Sequence, residues 1–361
     1  MWYKTFGKTG ISLSTIGFGG MRFSRPERTD EMADIVRHAH GCGINYFDTA
    51  PYYCDDKSEE ILGCAFAAMR RESFYCSTKC ASASGDGLRR SLERSLRRLR
   101  VSSIDFFHIW CLLRPEHLEE RRAGGAIAAA LKAKEEGLIQ HIVVSTHLSG
   151  AEIVPVLETG WFEGVTLGYS ALNFPFRQEG IAAAARRNLG VVTMNPLGGG
   201  MIPQNAERLA FLKGPQDRDV VQAALRFNLS EPAVSCVLVG FSSREEVDQA
   251  VAAVENFTPY SADHIERIKG KISASFDGFC TGCGYCLPCP ADIPIPQLMD
   301  AYNQKILGRD EDAIRDRLKW HWDLKPEQAG ACTQCGECDD RCTQHLPVSK
   351  RLQYISGLRG N

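Results

Sequence analysis

INYFDTAPYYCDDKSEEILGCAFAAMRRESFYCST, residues 44–78, holds a short apolar run, a charged helical pattern and a second apolar run in turn. Ile44–Phe47 and Phe74–Thr78 read as short buried strands, and Ser58–Arg70 reads as the helix between them. Two strands joined by a helix lie parallel, because a parallel pair needs a crossover. Outward from this unit the alternation repeats. Ile104–Ile109, His141–Ser145, Gly164–Gly168, Val191–Met194 and Ser235–Val239 read as further strands. Helical patterns run over Asp30–His40, Gly87–Leu99, Ala126–Glu136 and Ile181–Asn188. The leucines at 88, 92, 96 and 99 make one apolar stripe on an otherwise charged helix. So many strand–helix units satisfy either an open doubly wound sheet or a closed (β/α)8 barrel. The length, about 250 residues for about eight units, favours the TIM barrel. No GxGxxG follows a first strand, which removes the main support for the open dinucleotide-binding sheet. The expected architecture is α/β: a barrel over residues 1–260, a linking helix over 261–275, and a small, mostly helical domain over 276–361.

That last domain is marked by cysteine. Eight of the chain's 15 cysteines fall in two runs, CTGCGYCLPCP (280–290) and CTQCGECDDRC (332–342). Two CxxCxxC triplets, each trailed by one more cysteine, are the signature of two [4Fe–4S] clusters in a dicluster ferredoxin-like domain. Three thiolates on a tight turn reach three corners of one cube, and the trailing cysteine of each run serves the other cluster. One cluster is therefore expected on Cys280, Cys283, Cys286 and Cys342, and the other on Cys332, Cys335, Cys338 and Cys289. Gly284 and Gly336 each follow a second cysteine, where a missing Cβ gives the backbone room. Only two residues separate Cys286 from Cys289, and Thr343 stands where a proline usually follows, but neither departure removes a ligand. Two zinc ribbons would not need a third cysteine at the same step. A disulfide framework belongs to small secreted domains.

The bulk properties exclude other classes. A formal net charge of −2 gives no argument for nucleic acid or an anionic membrane surface. No apolar run reaches the roughly twenty residues of a membrane helix, and the N-terminus carries no signal-like apolar core. A cytoplasmic, anaerobe-type redox protein is expected, with the other seven cysteines as small reduced core residues.

Several segments carry a family resemblance: YKTFGKTGISLSTIGFGGM (3–21), NYFDTAPYY (45–53), SEEILG (58–63) and FYCSTK (74–79). Together they resemble the aldo–keto reductase superfamily over about residues 1–257. CTGCGYCLPCPADIPIP (280–296) and CTQCGEC (332–338) resemble its branch with a C-terminal two-cluster extension. The resemblance implies a barrel capped by an N-terminal hairpin, catalytic groups at the strand C-termini and NADP(H) as hydride donor. It implies Asp48, Tyr53 and Lys79 as three of four catalytic residues. A tyrosine is a poor acid at pH 7, and a nearby ammonium held by a carboxylate is expected to lower its pKa. Tyr53 then protonates a carbonyl oxygen or holds the developing oxyanion. Trp110 occupies the position of the fourth residue, a histidine. His108 lies on the same strand face about 6.6 Å deeper, and His147 ends the next strand; both are candidates to replace it.

The implied cofactor contacts are altered. Ser145 matches the serine that holds the nicotinamide amide, but Thr146 and Thr166 stand in place of two side-chain amides. Met194 takes the ring-stacking position, followed by Pro196 and Leu197. At the phosphate end, Gly240, Ser242 and Arg244 begin a helix whose amides could take a dinucleotide phosphate. The expected function is an iron–sulfur oxidoreductase acting at Tyr53 on a small carbonyl or unsaturated substrate. Its electrons come from NAD(P)H, from the clusters, or from both, with a ferredoxin or flavodoxin-like donor as possible partner. The alternative is an electron-transfer protein whose barrel is a non-catalytic docking scaffold.

Overall fold

The computed structural model describes residues 1–275, 278–280 and 282–358. A hairpin comes first, β1 (Tyr3–Thr5) against β2 (Ser12–Ser14), antiparallel. The barrel strands follow: β3 (Ile16–Gly19), β4 (Tyr46–Asp48), β5 (Tyr75–Cys80), β6 (Ile104–Leu112), β7 (Ile139–Thr146), β8 (Gly164–Gly168), β9 (Gly190–Met194) and β10 (Val234–Gly240). They close in sequence order, with β10 pairing back on β3. Every neighbouring pair is parallel.

The fold is thus the expected TIM barrel, with one strand more than the apolar runs reveal. That strand, β3, is four residues long and half glycine, too short and too bare to announce itself by hydrophobicity.

The hairpin closes the barrel floor. Phe6, fully buried just after β1, packs edge-on to Phe106 with ring centroids 4.9 Å apart. Its ring occupies space that only glycine can leave: a Cβ on Gly164 or Gly190 would come within 2.2 or 2.3 Å of it. Leu13, Tyr46, Val143 and Val192 complete this inner layer. Outside, helices wrap the sheet. On Gly85–Leu99, Ser84 caps the N-terminus by accepting from Gly87 N at 3.0 Å, and Leu88, Leu92 and Leu99 face the core. The helix Ala262–Ser275 is no free linker, since Ile268 and Ile272 belong to the barrel core.

The C-terminal domain has its own small core of Ile293, Leu298, Met299, Ile314, Leu318, Leu352 and Cys338, against which five more cysteines pack from both runs. It sits on the barrel's C-terminal face through buried polar contacts. Arg177, fully buried, donates through Nη2 to His147 O at 2.8 Å and to Thr343 O at 2.7 Å. Asn173 Nδ2 donates to Gln344 Oε1 at 3.1 Å. Asn303 accepts from Cys280 N and donates to Cys280 O, each at 2.9 Å, while reaching Met201 Sδ at 3.4 Å. Buried hydrogen bonds of this kind fix orientation, because leaving any of them unmade strands a desolvated group. No helix among the described residues is long and apolar enough to cross a membrane.

Candidate active site and cluster cavities

At the C-terminal ends of the strands a cavity of about 440 Å³ opens. Asp48 ends β4 and Lys79 lies near the end of β5, two residues beyond Ser77, the partner of Asp48 in the parallel register. Lys79 Nζ donates to Asp48 Oδ2 at 2.5 Å and to Thr49 O at 2.6 Å. Ser77 Oγ donates to Asp48 Oδ1 at 2.7 Å. Burial drives the Lys79 pKa down while Asp48 pulls it back up. Tyr53 comes from the turn after β4. Four residues around it, Tyr52, Cys54, Asp55 and Asp56, have φ between 52° and 71°, a left-handed run without a glycine. Such conformations persist where surroundings over-determine them. Here Asp56 Oδ1 accepts from Tyr52 N at 3.2 Å and pairs with Arg98 at 2.8 Å.

The strained turn swings the phenol inward, so that Lys79 Nζ lies 5.2 Å from its ring centroid and Trp110 meets it edge-on at 5.7 Å. The ammonium therefore faces the ring. The Tyr53 pKa is accordingly not lowered: burial first, then the Asp48 charge, push it well above its ordinary value. This corrects the expectation of an acidified phenol. The group remains a proton carrier throughout the neutral range, which suits a donor.

The two candidate histidines separate clearly. His108, the β6 partner of Lys79, is fully buried, its Nε2 2.9 Å from Ser77 Oγ and 3.9 Å from Asp48 Oδ1. It is not among the residues lining the cavity, and Ser77 bridges it to Asp48. His147 does line it. Burial and Arg177 lower its pKa to about 3, so it stays neutral. Its Nδ1 has no hydrogen-bond partner among the described residues.

The far wall belongs to the C-terminal domain: Cys283, Tyr285, Thr343 and Gln344 line this same cavity. Tyr285 stacks obliquely on His147, with centroids 4.6 Å apart. Nearby, Cys111 sits at φ 66° where the β6–β7 register shifts, a bulge at the rim of the barrel. Sequence reasoning missed Tyr285, Thr343 and Gln344. Their reach into the barrel depends on how the domains dock, for which Arg177 gives no motif. Arg22, on the near wall, was also missed.

Of the expected cofactor contacts, Met194, Pro196, Leu197, Gly240 and Ser242 line the cavity, whereas Ser145 and Arg244 do not. Thr166 Oγ1 is buried there without a hydrogen-bond partner among the described residues. The loop expected to take a dinucleotide phosphate has its donors paired with carboxylates. Glu246 accepts from Ser242 N at 2.7 Å and from Ser242 Oγ at 2.8 Å, and Arg244 pairs with Asp34. A carboxylate already holds the donors that the phosphate would need, and it would repel the newcomer.

The cysteine runs fit clusters better. One small cavity is lined by Cys280, Cys283, Cys286 and Cys342, between Met299 and Val348. A second is lined by Cys289, Cys332, Cys335 and Cys338, and by Cys286 as well. Gly282 N and Leu346 N donate to the sulfurs of Cys280 and Cys342, at 3.4 and 3.3 Å. Gly284 and Gly336 both take φ 80°, which a side chain would strain. Each set thus offers four thiols, apolar packing and amide donors, the surroundings that hold and tune an iron–sulfur group.

Comparison with known proteins agrees. The model of the aldo/keto reductase family matches residues 15–273, and that of the 4Fe-4S dicluster domain matches residues 279–346. L-galactose dehydrogenase of Arabidopsis thaliana is 28% identical over 291 residues, covering 72% of this chain and 90% of that protein. NADH-specific methylglyoxal reductase of Escherichia coli is 26% identical over 249 residues, covering 62% and 72%. An aldo-keto reductase of Bacillus halodurans superposes with a TM-score of 0.66 at 24% identity, covering 75% of this chain and 96% of that one.

Proposed function

This chain belongs to the aldo/keto reductase family, and from that premise we propose that it reduces a small carbonyl or conjugated substrate at Tyr53 with electrons that enter through its own C-terminal domain. It is an oxidoreductase carrying a 4Fe-4S dicluster domain. One observation carries the proposal: Cys283 and Tyr285 line the same cavity as Asp48, Tyr53 and Lys79. Two [4Fe–4S] clusters, on Cys280, Cys283, Cys286, Cys342 and on Cys289, Cys332, Cys335, Cys338, would supply single electrons, two in all.

The chain's residues do the rest. Tyr53 gives its proton to the carbonyl oxygen as charge develops there. Lys79, anchored by Asp48, steadies the resulting negative charge. The proton for carbon comes from the second hydroxyl on the wall, Tyr285. Neutral His147 orients the substrate oxygen by hydrogen bonding, and His108 holds Asp48 in place through Ser77. A cavity of about 440 Å³ suits a small substrate. Donation by a ferredoxin or flavodoxin-like protein in a cytoplasmic setting completes this reading. A docking scaffold without turnover would have no use for a buried Asp–Lys pair beside a tyrosine held in a strained turn.

A second reading has its own support. Glu246 at the phosphate end would accept the hydroxyls of an unphosphorylated ribose, which favours NADH over NADPH. Fluorescence titration with both nucleotides separates the readings. The proposal expects no quenching by NADPH at concentrations up to about 1 mM, the upper end of ordinary cofactor and substrate affinities. Tight NADH binding alone would establish the second reading, and tight NADPH binding would refute both.

A further inference from the structure

We infer that this protein carries a transition-metal site, suited to Zn²⁺, where the first and last helices of the barrel meet. His38 lies on the helix Thr29–Gly41, Cys42 caps its C-terminal end, and Asp248 lies on the helix Arg244–Ala253. The i, i+4 spacing puts imidazole and thiol on one helix face, and helix packing brings the carboxylate to them. One ligand atom from each converges within 4.8 Å. His38 Nε2 is 2.7 Å from Asp248 Oδ1 and 3.6 Å from Cys42 Sγ, and Cys42 Sγ is 3.7 Å from that same oxygen.

The identity of the nitrogen decides between two readings. In a nucleophile–base–acid relay the thiol and the carboxylate address opposite ring nitrogens. Here both face Nε2, so all three groups surround a single point, as they do around a cation. The edge lengths agree. On tetrahedral zinc, with Zn–S about 2.3 Å and Zn–N or Zn–O about 2.0–2.1 Å, sulfur stands roughly 3.5 Å from nitrogen or oxygen. The two sulfur edges are already near that value. Only the nitrogen–oxygen edge must open, by roughly 0.6 Å, when the metal replaces the shared proton. Thiolate, imidazole and carboxylate together suit Zn²⁺ over Mg²⁺ or Ca²⁺, which take oxygen ligands. Water takes the fourth position. Bound there, the ion would tie the last helix to the first and reinforce barrel closure.

The test uses iron-replete holoprotein, equilibrated with Zn²⁺ and freed of excess by gel filtration. Metal analysis is expected to give one Zn per chain. Zinc K-edge absorption should show one sulfur near about 2.3 Å and three lighter ligands near about 2.0–2.1 Å. Cys42→Ser and Asp248→Asn should each weaken binding at least tenfold, and the Zn²⁺-induced rise in melting temperature should vanish with them. Absence of retained zinc, equal uptake by both variants, or an all-sulfur shell drawn from the cluster cysteines would each overturn the inference.

Discussion

Substituting Tyr53→Phe is expected to lower turnover about a thousandfold, within the range that general-acid catalysis contributes, while leaving iron content and fold unchanged. The phenol keeps its proton throughout the neutral range, whereas Lys79 is committed to Asp48 and Thr49. Phenylalanine keeps the edge-on contact with Trp110, so packing is preserved and only the hydroxyl is lost. The pH dependence follows from the sign of the shift. The Tyr53 pKa is raised above its ordinary value of about 10. The proton-bearing form therefore persists below that pH, and turnover should show no alkaline loss from this group before pH 10. A fall with midpoint near pH 7–8 would show that the donor is some other group.

Lys79→Met should be the most destabilising single change in the barrel, by about 3–5 kcal/mol, because it leaves the Asp48 carboxylate buried without its counter-ion. Chemical denaturation, followed by far-UV circular dichroism, measures this. Asp48→Asn on top of Lys79→Met should recover much of the loss, since the stranded charge is then gone and Ser77 still has an oxygen to donate to. A single variant as stable as the native chain would mean that Asp48 takes up a proton, or water, at little cost.

Much of this architecture is legible in the sequence. Seven barrel strands announce themselves as apolar runs between helical patterns, and the eighth, Ile16–Gly19, does not, because two of its four residues are glycines. Asp48 and Lys79 are legible because strand ends in a parallel barrel share a rim. The cysteines of each expected set line one cavity together, and Cys286 lines both cavities. What is hidden is tertiary. Tyr285 reads as a filler inside CGYC, and only the docking of the two domains through Arg177 and Asn173 turns it into a wall of the cavity. His108 and His147 are both candidates along the chain, the second favoured by its strand end, and the structure shows the first propping Asp48 through Ser77 and the second lining the cavity. Likewise, Gly240–Arg244 resembles a phosphate loop until Glu246, one helical turn on, is seen to hold its donors.

The central claim is that the cavity around Tyr53 receives electrons from the domain that forms its far wall. Its most direct test is a single-turnover experiment without nucleotide. Anaerobic protein, reduced by a low-potential one-electron donor and freed of excess reductant, is mixed with a panel of small carbonyl compounds, and product is counted as the visible absorbance near 400 nm returns. The account predicts one alcohol per protein in step with the loss of two stored electrons, abolished by Tyr53→Phe. Product formed only when NADH or NADPH is added, with the visible spectrum unchanged, would contradict it.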